Sequence, residues 1–152
     1  TVTKKYKASL LINDRLDIAL LSGADGIHSP ESGIDAAYIR MSNSKLITGK
    51  SVHSLNSAKK AEKDGYDYLL FGPVFSTPAK IKYGAPQGLE KLKKVCSSVR
   101  IPVFAVGGIS PARSKKCMEA GAHGIAVIRA LMISKNINRT VDIFRRNMGG
   151  LL

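Results

Sequence analysis

The sequence has no tryptophan, two cysteines and three histidines, and aromatic residues fill only 6% of its 152 positions. Cys96 and Cys117 stand apart, with no C-x-x-C pair and no histidine at ligand spacing. That excludes a disulfide framework or a zinc-ribbon site and reads as two reduced core thiols. No apolar run reaches the ~18 residues of a membrane span, and the opening stretch TVTKKYKASLL is too short in apolar residues for a secretory signal. A cytoplasmic protein without a membrane partner is expected. Acidic residues are scarce: 11 Asp and Glu stand against 24 Lys and Arg, a formal charge of +13. The field of such a chain draws anions, whether nucleic acid, lipid surface or phosphorylated metabolite. The basic residues fall mostly into scattered pairs, Lys59-Lys60, Lys93-Lys94, Lys115-Lys116 and Arg145-Arg146, each within a segment of helical periodicity. They read as solvated helix faces. A basic stripe with interleaved aromatics is lacking, so no nucleic-acid partner is expected.

What is present points to one domain over residues 1–152, because 44% apolar residues in a chain of this length suffice for a single core. Short β-rich runs alternate with longer helical segments, the pattern of βα units around a parallel sheet. Six units are visible. Strands are expected at 8–13, 25–28, 46–52, 68–72, 103–107 and 124–128, and helices at 16–22, 34–41, 55–64, 89–98, 111–120 and 137–146. Gly23-Ala-Asp-Gly-Ile27, Gly65-Tyr-Asp-Tyr-Leu69 and Gly121-Ala-His-Gly-Ile125 recur where a helix ends and a strand begins, with glycine suited to the position after the helix. This grammar predicts an α/β (β/α)₈ TIM barrel. A doubly wound sheet also accepts six units, but its G-x-G-x-x-G fingerprint is missing. Closing a barrel takes eight strands. Two units are therefore expected to be missing ahead of Thr1, or another element seals the gap, and an open edge is a reason to form a homo-oligomer.

Four segments carry candidate chemistry. In Ala105-Val-Gly-Gly-Ile-Ser-Pro111, Gly107 and Gly108 allow close approach of a ligand, Ser110 suits an N-cap and Pro111 the first helical position. With the backbone of Val127 and Ile128 in the following unit, these glycines suit a phosphate, since barrels hold phosphate at helix N-termini between their last two loops; the bland alternative is a tight turn. Arg129 either contacts that phosphate or faces solvent. In Ser51-Val-His-Ser54, His53 closes a strand and is the best candidate acid/base, with helix capping as the alternative. His28 also closes a strand, and there packing is favoured; His123 lies at the opposite strand end and receives no role. In Leu11-Ile-Asn-Asp-Arg-Leu16, Asn13 and Asp14 could orient a polar ligand or help hold Mg²⁺, but spacing favours Asp14 as a helix cap. The loop from Phe71 to about Gln87, with Thr77, Lys80 and Lys82, is long enough to close over an anion, or has no function at all.

LLINDRLDIALLSGADGIH, GKSVHSLNSAKKAEKDGYDYLLFGPVFSTPAK and IPVFAVGGIS with AGAHGIAVIRA, in that order, resemble the successive motifs of the thiamin phosphate synthase/TenI family over almost the whole chain. The resemblance implies a (β/α)₈ barrel acting on a thiazole phosphate. Synthases of the family join a pyrimidine pyrophosphate to a thiazole phosphate with Mg²⁺; TenI-type members shift a proton on a thiazole carboxylate phosphate without cofactor. The chain keeps Asn13 and Asp14, the latter a metal ligand only if it is a synthase. It lacks the second-strand Gln-x-Arg-x-Lys motif, has Gly33 where a second Asp is usual with only Asp35 nearby, has Ala79 in place of a Thr although Thr77 and Lys80 match, and has Arg129 in place of a Ser. These departures, the match of His53 within GKSVHSL and the likeness of His28-Ser-Pro-Glu-Ser-Gly33 to that branch favour the thiazole tautomerase, an isomerase, with Ser51 among its substrate-binding residues. The alternatives are a Mg²⁺-dependent synthase, a transferase, and a non-catalytic phosphate-ligand-binding protein.

Overall fold

The computed structural model describes residues 2–77 and 85–149. After a short helix α1 (Val2–Lys5) come β1 (Leu11–Asn13), α2 (Leu16–Ser22), β2 (Gly26–Ser29), α3 (Ala36–Ser42), β3 (Ile47–Val52), α4 (Leu55–Lys63) and β4 (Tyr68–Phe71). Then follow α5 (Gly88–Cys96), β5 (Val103–Val106), α6 (Pro111–Glu119), β6 (Gly124–Ala126), α7 (Arg129–Met132) and α8 (Ile137–Asn147). All six strands are parallel and lie in sequence order, β1 to β6. A doubly wound sheet reverses direction at a switch point. This one never does, and it curls into a half-barrel of the TIM-barrel type. All six sequence-predicted units are present. The first and last strands are shorter than expected, β1 starting at Leu11 rather than Ala8 and β6 ending at Ala126 rather than Ile128, because among the described residues each has one neighbour to pair with. The four-residue helices α1 and α7 are too short to leave a periodic signal.

Alternation along the strands separates two faces. Val52, Leu69, Phe71, Val103 and Ala105 are almost fully buried with Ala58, Ala61, Leu92, Val95 and Cys117 of α4, α5 and α6. Around β2 a smaller cluster joins Ile27 to Ala19, Ala24, Ile39 and Leu46. The opposite, concave face carries His28, Ser51, Tyr68 and Phe104, in mutual contact. The repeat glycines Gly23, Gly65 and Gly121 all have positive φ, from +61° to +91°, which explains glycine where each helix gives way to a strand.

Local caps fix where the helices start and hence where the strand ends point. Ser54 caps α4 in a reciprocal pair with Ser57, and Pro111 occupies the first turn of α6. Arg40 on α3 binds Asp67 at 2.8 Å, and Asp67 also accepts from the Thr48 amide and hydroxyl, tying α3 to the bases of β3 and β4. Burial alone would raise the Asp67 carboxyl; the bonds from Thr48 and Arg40 outweigh it and hold the group below the usual carboxylate range. The basic pairs on α4, α5, α6 and α8 are exposed, as expected of solvated faces. Cys117 is buried and Cys96 partly so, and burial pushes both thiols up to about 11, as suits core thiols. Among the described residues no helix is long and apolar enough to cross a membrane.

Candidate active site

The β5 and β6 ends build the first half of the site. Gly107 and Gly108 have φ of +94° and +65°, and a Cβ at either would lie 2.6 Å or less from the chain at Pro73 or Ser76. The loop after β4 packs directly on them, with the Val74 amide donating to Val106 O and the Phe75 amide to Gly107 O. Arg113 of α6 clamps both loops, donating to Gly108 O at 2.8 Å while its guanidinium sits 4.9 Å over the Phe75 ring. Between these loops and α7 opens a cavity of about 590 Å³, whose walls bring together Thr77, Gly107, Gly108, Val127, Ile128 and Arg129 with Ser76 and Ser110. Six sequence-predicted residues thus share one space with the N-terminus of α6. Ser110 is the N-cap by position, though its side chain makes no capping bond. Lys80 and Lys82 lie outside the described residues.

A larger cavity of about 1030 Å³ opens at the opposite strand ends, between Val99–Phe104 and Met118–Ile125. Its lining is mainly apolar, with Arg100 and His123 as the titratable exceptions besides Cys96. In this architecture the C-terminal strand ends carry the chemistry, so the smaller cavity is the candidate.

The β1 to β3 ends form the second half. Asp14 adopts φ +62° and donates its amide to His28 O, and the N-cap of α2 is Arg15, so Asp14 is not the helix cap that its spacing favoured. Its carboxylate is instead turned toward Gly33, where a Cβ would lie 3.0 Å from Asp14 Oδ1. Asn13 pairs in register with His28. Lys50, almost wholly buried, donates to Gly33 O at 3.2 Å and lies 5.2 Å over the Tyr66 ring.

His28 is packed, as expected, and has a partner at each ring nitrogen. It is 9% exposed, with Nε2 2.8 Å from Ser51 Oγ and Nδ1 3.0 Å from Tyr68 Oη. Burial, and then the nearby Lys50 charge, depress its pKa below the ordinary histidine value. His53 is exposed at the rim between the two halves, and Nδ1 hydrogen-bonds Gly72 O at 2.5 Å. In the neutral ring that bond places the proton on Nδ1 and leaves Nε2 as an acceptor. Capping of α4 falls to Ser54 and Ser57, not to His53. Sequence reasoning missed Tyr68, Lys50 and Arg113. For Tyr68 the only signal was its place on the same strand face as residues two apart; nothing local marked the other two.

Fold and site together define a βα-barrel protein whose polar groups gather at the C-terminal ends of its strands. Residues 1–131 match the model of the thiamine monophosphate synthase family, and the chain belongs to that family. It is 41% identical over 134 residues to the thiamine-phosphate synthase of Methanocella arvoryzae and 38% over 136 residues to that of Chloroflexus aurantiacus, covering 88% and 90% of this chain. It spans 63% of the length of each of those relatives. A solved thiamine phosphate pyrophosphorylase from Pyrococcus furiosus superposes with a TM-score of 0.89 at 36% identity, over 99% of this chain and 72% of the other. A 3-hexulose-6-phosphate synthase at 16% identity and TM-score 0.73 shares the fold alone.

These relatives correct the preference for a tautomerase. Proteins alike along most of the chain are named as synthases, so the metal-independent isomerase reading is withdrawn. It rested on motif departures taken as lost pyrophosphate contacts and on the match of His53 within GKSVHSL. Asp14, one of the positions the resemblance keeps, is turned toward Gly33 rather than used as a cap.

Proposed function

We propose that this chain carries the condensation centre of a thiamine-phosphate synthase, a transferase that joins a pyrimidine pyrophosphate to a thiazole phosphate. In that reaction the thiazole nitrogen lone pair forms a bond to the pyrimidine methylene carbon, and the carbon–oxygen bond breaks with its electron pair leaving on pyrophosphate. The observation that carries the reading is the likeness to named synthases at 36 to 41% identity, joined to a site whose two halves suit two anionic substrates.

The 590 Å³ cavity is assigned to the thiazole phosphate. Amides at Gly108 and the start of α6 offer donors to phosphate oxygens, with Thr77, Arg129 and the backbone of Val127 and Ile128 completing the cradle. The pyrophosphate is assigned to the β1 to β3 ends, where Asn13 and Ser51 supply polar contacts. His53 offers Nε2 as an acceptor to the pyrimidine at the rim. Lys80 belongs to the same anion-binding set by its place in the motif.

Mg²⁺ is ordinarily held by one or two carboxylates together with substrate phosphates. Asp14 fits that pattern as a single carboxylate, since among the described residues no group of three or more His, Cys, Asp or Glu side chains could hold a metal by itself. Asp14 would hold Mg²⁺ together with substrate phosphates, and the charge of the ion would there offset that on the departing pyrophosphate. Gly33 beside Asp14 offers no second carboxylate, and this favours one further reading, a non-catalytic binder of phosphate ligands.

The deciding experiment incubates the protein with both substrates and follows pyrophosphate release with and without Mg²⁺. Release that needs both substrates and the metal is expected. Thiazole phosphate binding by calorimetry without release would establish the binder, and neither binding nor release would overturn both readings.

A further inference from the structure

The concave face holds a hydrogen-bonded row that the condensation does not itself explain: Ser51 Oγ, His28 Nε2 at 2.8 Å, then His28 Nδ1 and Tyr68 Oη at 3.0 Å. A neutral imidazole donates from one nitrogen and accepts at the other, so the row has two possible directions. In one, Ser51 donates to His28 and His28 to Tyr68, and the phenol proton is left over. In the other, Tyr68 donates to His28 and His28 to Ser51, and the serine proton is left over.

The surroundings of the two ends separate these directions. His28 is the one hydrogen-bond partner of Tyr68 Oη among the described residues. The Tyr68 ring lies against Gly49, where a Cβ would come within 2.1 Å of it, is stacked with His28 at 5.7 Å and meets Phe104 edge-on at 5.7 Å. A phenol proton left over there would have no acceptor among the described residues. Ser51 stands at the strand end, where a substrate oxygen can take its proton.

We propose that Tyr68 is a positioning residue: its hydroxyl donates to His28 Nδ1, which locks His28 as the Nε2-protonated tautomer, whose N–H donates to Ser51 Oγ and turns the serine hydroxyl proton toward the substrate. The pKa directions agree with it. Burial pushes Tyr68 up to about 12, so it stays a donor, and burial with the Lys50 charge keeps His28 neutral. The Lys50 charge adds to burial in keeping the row uncharged. The use of the serine proton by substrate rests on the synthase reading; the direction of the row does not.

The test reads the tautomer directly by long-range ¹H–¹⁵N NMR of histidine-labelled protein, with His28 assigned from its loss in His28→Gln. The wild type should show Nε2-protonated His28. In Tyr68→Phe, with folding checked by thermal melting, His28 should lose that single tautomer, and kcat/KM for pyrophosphate release should fall several-fold. In a Ser51→Ala background the same change should cost nothing further, because its effect passes through the serine. An Nδ1-protonated His28 in the wild type overturns the proposal without any variant, as does an unaltered tautomer in Tyr68→Phe. If pyrophosphate release is never seen but the tautomer is as stated, the synthase reading fails and the direction of the row stands.

Discussion

At Arg129, one residue carries a choice that spacing left open between a phosphate contact and solvent. The structure puts it at the first position of α7, exposed and on the wall of the 590 Å³ cavity beside Thr77 and Gly108. Charge-assisted bonds are worth about 1.5–3 kcal/mol. Arg129→Ala should therefore raise KM for the thiazole phosphate at least about tenfold and leave melting temperature nearly unchanged, as steady-state kinetics and calorimetry would record. Asp14 shows the reverse relation. Its position before a helix suggested a cap, yet positive φ turns its carboxylate to Gly33, a neighbour 19 positions on that only the β1–β2 pairing brings near.

Among the elements, the turn from β5 into α6 is packed against the chain itself. Gly107-Gly108-Ile-Ser-Pro111 suggested close approach of a ligand, and the structure shows the β4 loop packed against both glycines. Gly108→Ala would place Cβ 2.5 Å from Ser76 O at φ +65°. The loop must shift, at a cost of about 1–3 kcal/mol. Denaturant melts should show that loss, together with weaker binding of inorganic phosphate. The tie from α3 to β3 and β4 gives a pH prediction. Asp67 titrates below its unfolded value, so its contribution is present above the unfolded pKa of about 3.9 and is lost as pH falls through the lower folded value. The stability gap between wild type and Asp67→Asn should accordingly be constant from pH 7 to 5 and close below about 4. The carboxylate is 43% exposed, so the gap should stay under about 1 kcal/mol.

For the whole molecule, the formal charge of +13 resides largely on the exposed outer faces of the helices, around a site read as binding two anions. Steering by that field is screened over about 8 Å at physiological ionic strength. Raising salt from 20 to 300 mM should increase KM for the pyrophosphate substrate more than it alters kcat; a KM indifferent to salt would show that the helix charges play no part in capture. The curled six-stranded sheet leaves β1 and β6 as its two edges. We propose, as the barrel grammar suggests, that the sheet is part of one (β/α)₈ domain.

By itself the sequence determined the alternation of strand and helix, the parallel sheet, the glycine that ends each helix and the tight turn at Gly107-Gly108. Each of these is a local consequence of periodicity or of a backbone conformation that one residue type favours. It also carried the family resemblance, though not the choice of chemistry within it, because residues such as Gly33 and Arg129 have no meaning until their neighbours are known. Only the tertiary structure decided that His28, Ser51 and Tyr68, up to 40 positions apart, share one row of hydrogen bonds, and that Asp14 faces Gly33. Contacts across adjacent strands depend on register and on which face each side chain takes, and a one-residue slip in register would separate every one of them.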